Sequence, residues 1–367
     1  MSKRIKILFT IPNFDTAGSG KVVYDLIKGL DKSLFDPHIC CFHTKGAFFE
    51  EIKKLDVRIH VFDFAIKYKP FLSLPFRILK IRSFFKTHSF DLIHSWHWSS
   101  DFTEPLAAKL AGIPFVYTKK AMGWGNKSWK WRSQLSTKII TINKDMVSEF
   151  FSNMLNKIEE IPLGVDTNYF TPLAKSYEVS NNISIDTNDF VIVSIANLAP
   201  VKGIEILLEA VKILNDDRIK VFIVGDNDND YGKKLISTFN KNDTIRFLGK
   251  QLDIRPYLAI ADVFIIPTKN EGRKEGMPIA PLEAMASARI VLGSNISGIR
   301  DILNSRKDLL FTPDNVDSLI SAIKVIRNLS EQERKNLESE LRTIVERDFT
   351  VSSFLSKHES LYKTLIK

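Results

Sequence analysis

Glu275 and Glu283 flank a change from loop to helix and are well placed to do chemistry. The stretch Pro267–Ser287, PTKNEGRKEGMPIAPLEAMAS, follows an apolar strand candidate and holds Gly272, Gly276 and Pro281. Pro281 suits a first helical turn, where its missing N–H is not needed. The helix start then offers backbone N–H groups to an anion such as a pyrophosphate. Carboxylates there can accept hydrogen bonds from sugar hydroxyls, Glu283 from a ribose and Glu275 from a transferred sugar. The plainer reading is two surface glutamates stabilised by the helix dipole. Lys202, in NLAPVKG after a second strand candidate, can neutralise a departing phosphate, where negative charge grows during transfer. It can equally be a solvated lysine. Gly18-Ser19-Gly20 opens a helix and lets backbone approach a phosphate or an acceptor. Its spacing fits neither the nucleoside-triphosphate loop nor the dinucleotide fingerprint. His94 and His97 close a short strand candidate. Either could hydrogen-bond a sugar or help deprotonate a hydroxyl, or simply pack.

These residues need a scaffold that delivers strand ends. Strands are expected at Ile5–Ile11, His38–Phe42, Arg58–Phe62, Leu92–His94, Phe115–Thr118 and Lys138–Ile142. Helices such as Lys21–Leu30 and Glu104–Ala111 lie between them. Around Ile161–Thr171 the chain turns polar, and the alternation restarts at Phe190–Ala196. Strands Val221–Val224, Thr244–Phe247, Val263–Ile266 and Ile290–Leu292 follow, with helices Ile204–Leu214 and Ile254–Ile260, a helix containing Glu283–Ala288, and helices from Val316 onward. Such alternation reads as α/β: two tandem doubly wound Rossmann-like domains facing a cleft. The expected boundaries are residues 1–165, residues 166–345 and a C-terminal helix at 346–367 packing back on the first domain. A chain of 367 residues suits two domains.

Charge is unevenly placed. Residues 1–165 hold 25 Lys/Arg against 15 Asp/Glu, whereas the remainder holds 27 against 28. An acidic partner for the first half is expected, either a phosphate-bearing acceptor or an anionic membrane surface. Between Asp63 and Asp91 stand six Lys/Arg and no acidic residue. Over Phe76–Lys86, however, apolar residues spread around the helical wheel. That suits a buried helix with snorkelling lysines as well as a membrane-facing one. Lys119, Lys120, Lys127, Lys130 and Arg132, with Trp124, Trp129 and Trp131, suggest a second basic-aromatic surface. No apolar run is long enough for a membrane span. The N-terminus reads as a buried strand, not a signal peptide. Cys40 and Cys41 are adjacent and form no disulfide framework, so a cytoplasmic setting fits.

EGMPIAPLEAMA resembles the Glu-x7-Glu motif of the retaining glycosyltransferases of family four. IPNFDTAGSGKVVYDLIKGL, DLIHSWHW, IPLGVDTNYFTP, IANLAPVKGIEILLEA, VFIVGDN and RFLGKQLDIRPYLAIADVFIIPT resemble other segments of that family, in the expected order. The resemblance covers nearly the whole chain. It implies the GT-B fold, a nucleotide-diphosphate sugar in the C-terminal domain and a saccharide or lipid-linked acceptor in the N-terminal domain. It also implies no metal, no cofactor and no nucleic-acid partner. It assigns donor binding to Lys202, Glu283, Asn197, Gly276, Met277, Ile279 and Gly225. Catalytic roles fall to Glu275 with His97 or His94, and phosphate or acceptor contact to Gly18, Ser19 and Gly20. Two positions depart from the pattern. Asn197 stands where the family usually has arginine, for which Arg273, Lys274 or Arg300 would compensate. Trp96 stands where the second histidine of His-x-His is common. The expected activity is retaining hexosyl transfer in surface polysaccharide or glycolipid synthesis, on the cytoplasmic side and peripheral to the membrane. The competing expectations are a non-catalytic nucleotide-sugar or saccharide-binding module, a nucleotide-sugar epimerase and a nicotinamide oxidoreductase lacking its phosphate fingerprint.

Overall fold

The computed structural model describes residues 3–15, 17–46, 48–175, 178–179, 183–239, 244–271 and 274–366. Gly272 and Arg273 lie outside the described residues. The chain divides into two compact units, Met1–Pro162 with Ser352–Lys367, and Leu163–Val351.

The first unit is built on seven parallel strands: β1 (Ile5–Thr10), β2 (Phe35–Cys41), β3 (Arg58–Val61), β4 (Leu92–Ser95), β5 (Phe115–Lys119), β6 (Lys138–Thr141) and β7 (Ile158–Glu160). Their order across the sheet is β3-β2-β1-β4-β5-β6-β7. Ile7, Leu8 and Phe9 on β1 are fully buried, because helices cover both faces of a parallel sheet. The connecting helices are α1 (Ala17–Gly29), α2 (Phe49–Lys53), α3 (Leu74–Thr87), α4 (Thr103–Ala111), α5 (Trp129–Leu135) and α6 (Lys144–Phe150). Gly112 at φ +76° ends α4 in the left-handed conformation that glycine takes readily. The Asn143 side chain caps α6 by accepting from Met146 N–H at 2.9 Å. The C-terminal helix runs Val351–Leu365 and not from residue 346, since residues up to Asp348 complete the preceding helix. It packs within this unit: Tyr362 meets Phe9 and Phe35 edge-on, with ring centroids 6.3 and 6.0 Å apart.

The second unit repeats the plan with six parallel strands. These are β8 (Phe190–Ile195), β9 (Ile219–Val224), β10 (Ile245–Phe247), β11 (Val263–Ile266), β12 (Ile290–Ser294) and β13 (Leu310–Phe311). Their order is β10-β9-β8-β11-β12-β13. Helices α7 (Ile204–Leu214), α8 (Asp230–Phe239), α9 (Arg255–Ile260), α10 (Ala280–Ala286), α11 (Ile299–Ile302), α12 (Val316–Arg327) and α13 (Glu331–Asp348) complete it. In α7, IEILLEAVKIL, the buried Ile204, Leu207, Leu208 and Val211 repeat at three- and four-residue spacing and pack on the sheet. Arg342 of α13 donates to Phe170 O at 3.2 Å, to Thr167 O at 3.3 Å and to Ala286 O. One guanidinium thus ties the segment after the unit boundary to the end of α10.

Strand order reverses direction between β1 and β4, and again between β8 and β11. In doubly wound sheets, ligands bind beyond the strand carboxyl ends at such switch points. The expected site residues of each unit cluster there.

Candidate active site

In the second unit, Lys202 ends a single 3-10 turn, Pro200–Lys202, between β8 and α7. The turn closes because Gly203 takes φ +62° and lies so close to Pro267 O that a Cβ would collide with it. The chain is thereby held against the end of β11, where the loop carrying Glu275 begins. Lys202 Nζ donates to Glu275 Oε1. Both side chains are mostly buried, at 17% and 20% exposure. The ammonium has three protons to give, so the carboxylate leaves two for other acceptors. Glu283 lies in the first turn of α10 and is 9% exposed. Gly276 and Met277 are buried between the two glutamates, and Ile279 is half-buried at the start of α10. Gly225, at φ +156°, follows β9 and lies against the Ala196 carbonyl with no room for a Cβ. Asn197 sits one residue beyond Ala196, exposed at the end of β8. Lys202, Glu275, Glu283, Asn197 and Gly225 therefore share the carboxyl end of one sheet.

A second polar knot braces this loop. Lys269 Nζ bridges Glu205 at 2.5 Å and Glu271 at 3.3 Å. The Tyr231 hydroxyl donates to Glu205 and accepts from Ile204 N–H at 3.1 Å. The phenol thus supplies the acceptor that the first turn of α7 lacks, because its cap is a glycine. Of the cations expected to compensate for Asn197, Arg300 donates to Asn295 Oδ1 at 3.2 Å. Arg273 lies outside the described residues, and the Lys274 side chain is not described.

In the first unit the same positions hold a different set. Gly18 departs from helical geometry, at φ −7° and ψ −111°, at the start of α1. Ser19 Oγ accepts from Lys120 Nζ at 3.1 Å, so a cation is tethered to the glycine loop. Gly20 is buried. His97 stands edge-on to Phe42 and Phe64, with centroids 5.8 and 5.6 Å away. Its Nδ1 is buried with no partner among the described residues. Burial first, then the nearby Arg132 and Lys120 cations, push His97 down to about 3. The ring is therefore neutral near pH 7. It can form hydrogen bonds, and its lowered pKa makes it a weaker base than an ordinary histidine.

His94 is corrected more fully. It is completely buried, with Nδ1 bonded to the Tyr362 hydroxyl at 2.6 Å and Nε2 to Thr118 Oγ1 at 2.8 Å. Both ring nitrogens are used and desolvation holds the pKa well below its usual value. His94 fastens the C-terminal helix to β4 and β5 and cannot reach a reacting sugar. Trp96 packs beside it, 1% exposed, with ring centroids 5.3 Å apart. The basic-aromatic cluster also changes meaning. Lys119, 2% exposed, lies 3.9 Å over the Trp124 ring, and Trp124 stacks on Trp129 at 5.0 Å. Lys119, Trp124 and Trp129 pack against one another and Arg132 is buried, whereas Lys127, Lys130 and Trp131 are exposed, the last at 63%.

Sequence reasoning missed a buried ion pair beneath His97. Arg132 and Glu104 both have zero exposure and meet at 3.2 Å. Arg132 also donates to Ser95 Oγ at 2.9 Å and to Asp101 O at 2.9 Å. Glu104 also accepts from Thr10 Oγ1, and from Ser95 Oγ at 2.8 Å. Thr10 and Ser95 end β1 and β4, so this network welds the switch point together. The partners stand 28 positions apart in the chain, a separation that gives no spacing signal.

The model for glycosyl transferases group 1 covers residues 177–342, and that for glycosyltransferase family 4 covers residues 16–169. Together they span nearly the whole chain. The chain belongs to glycosyltransferase family 4. This family-4 chain is 25% identical over 313 residues to an Escherichia coli UDP-Gal:α-D-GlcNAc-diphosphoundecaprenol α-1,3-galactosyltransferase, covering 79% of each. It is 26% identical over 322 residues to the capsular polysaccharide biosynthesis glycosyltransferase CapH of Staphylococcus aureus, covering 84% of this chain and 86% of that protein. Among solved structures it resembles a glycosyltransferase from Rickettsia africae at a TM-score of 0.84 and 21% identity. That likeness covers 100% of this chain and 99% of the other. The tandem Rossmann-like domains are therefore those of the GT-B fold, and the protein is a glycosyltransferase. Among the described residues, no group of three His, Cys, Asp or Glu is placed to hold a metal ion. No helix among them is long and apolar enough to cross a membrane.

Proposed function

We propose that this glycosyltransferase moves a hexosyl group, with retention at the anomeric carbon, from a nucleotide-diphosphate sugar to a hydroxyl of a lipid-linked saccharide. The setting is surface polysaccharide assembly, on the cytoplasmic side and peripheral to the membrane. The juxtaposition of Lys202 and Glu275 at the second sheet's switch point carries the reading. The ammonium meets the departing diphosphate, and the carboxylate beside it accepts from a hydroxyl of the transferred sugar. Glu283 accepts from the ribose. Gly225, Asn197, Gly276, Met277 and Ile279 line the nucleotide's path, with Asn197 giving an amide N–H where arginine would give charge. In the first unit, Gly18, Ser19 and Gly20 approach the acceptor, and neutral His97 hydrogen-bonds to it.

The bond from the anomeric carbon to the leaving phosphate breaks, and a bond to the acceptor oxygen forms on the same face. The acceptor's proton passes to a leaving-phosphate oxygen. No side chain acts as base in this route, which is compatible with the lowered pKa of buried His97. Lys202 supplies positive charge without a metal. The Escherichia coli relative, a UDP-Gal:α-D-GlcNAc-diphosphoundecaprenol galactosyltransferase, supports a diphospholipid-linked acceptor and a UDP-sugar donor.

A thermal-shift panel of nucleotide sugars tests the donor. A shift with one nucleotide-diphosphate sugar, unchanged by a chelator, is expected. A shift with nicotinamide cofactors alone would overturn the proposal. NMR of the product then reads retention directly.

A further inference from the structure

Helix α3 carries two apolar faces, and only one is covered. Ile78, Ile81 and Phe85 recur at three- and four-residue spacing and are buried. Phe76 and Leu79, three residues apart on the opposite side, are 74% and 46% exposed. The 3-10 turn before the helix, Phe71–Ser73, extends the open face, with Phe71 at 63% and Leu72 at 94% exposure. This is why apolar residues spread around the wheel in the sequence. The turn is also pinned. Arg77 donates to the Lys67 and Pro70 carbonyls, each at 2.8 Å. The apolar tip is therefore held outward by the fold. Contiguous exposed apolar surface of this kind marks an interaction site. Its surroundings identify the partner: exposed Lys80 and Lys86 stand on the same helix, Lys67 and Lys69 on the approach, and no carboxylate occurs between Asp63 and Asp91.

We infer that the Phe71–Leu79 face of this unit seats in an anionic lipid bilayer, the four apolar side chains entering the interface and the lysines meeting lipid phosphates. The apolar insertion and the basic rim act together, since a single weak signal gives only marginal attachment. This deepens the proposed function, and rests on it only for the purpose of the contact, namely bringing the enzyme to a lipid-linked acceptor.

The full chain is floated with vesicles of equal parts phosphatidylglycerol and phosphatidylethanolamine, and with phosphatidylcholine vesicles, without donor or acceptor. It should float with the first, dissociate as salt rises, and stay behind with the second. Each surface lysine contributes about fivefold in affinity. Lys80→Gln/Lys86→Gln should therefore weaken binding roughly 25-fold and flatten the salt dependence. Leu72→Asp/Phe76→Asp should lower binding at least about tenfold with an unchanged melting temperature, because both side chains are already in water. Undiminished flotation of either variant, indifference to lipid charge, or a concentration-dependent dimer dissolved by Phe76→Asp would overturn the inference. Nucleotide binding is read on the same samples. Failure of the unmodified chain to float while it binds nucleotide refutes this surface alone, and flotation of the unmodified chain without nucleotide binding refutes the donor chemistry alone.

Discussion

An ammonium beside a carboxylate can serve two partners at once, and Lys202 and Glu275 form such a pair. Lys202→Ala should lower kcat/KM by about 10²–10³, the scale on which one lost charge stabiliser acts. Steady-state rates at saturating and limiting donor check it. At His97 the sign of the pH effect is fixed. Its pKa lies at about 3, so the ring does not change charge between pH 5 and 8. His97→Asn should lower kcat/KM roughly tenfold, the cost of one hydrogen bond, without changing the shape of the pH profile over that range. A limb near pH 6.5 that disappears in His97→Asn would contradict this. Arg132 and Glu104 predict a stability effect. Arg132→Met strands a buried carboxylate and should cost on the order of 3–5 kcal/mol, read from urea melts. Glu104→Leu added to it should recover most of the loss.

At the scale of elements, much was legible. Long apolar runs at β1, β8 and β11 announced buried parallel strands, and helix α7 matched its periodicity from end to end. Short, polar or edge elements were not. The strand Ile158–Glu160 carries two glutamates and Leu310–Phe311 has two residues, too few for any pattern. The segment Pro267–Ser287 was readable because glycine, proline and helix formers change in order along it. The fate of His94 was not. Its burial depends on Tyr362, 268 residues away, and no local signal carries that contact. The open face of α3 was half legible: composition showed basic and aromatic residues together, but only packing could say which apolar side is covered.

For the molecule as a whole, the placement of histidine has a consequence. The chain has seven histidines, His38, His43, His60, His88, His94, His97 and His358, and all belong to the unit with the C-terminal helix. Burial lowers His60 and His358 to about 4 and His97 to about 3. A histidine whose folded pKa lies below 6.5 binds fewer protons folded than unfolded. Stability is therefore full above pH 6.5 and is lost as pH falls from 6.5 toward 4. Buried Asp101 and Glu104, raised above the usual carboxylate range by desolvation, act in the opposite sense and moderate the loss at its lower end. Hydrogen exchange at decreasing pH should show residues 3–162 and 352–366 losing protection before 163–351. Equal loss in both units, or earlier loss in 163–351, would contradict the assignment.

In the proposed mechanism Glu275 and Lys202 hold the donor for transfer. The most direct measurement is turnover by Glu275→Ala with the nucleotide sugar found in the thermal-shift panel, alongside its melting curve. The expected result is a protein that stays folded, with a lower melting temperature from the unpaired Lys202, and shows no detectable transfer. Near-normal turnover would remove Glu275 from the mechanism.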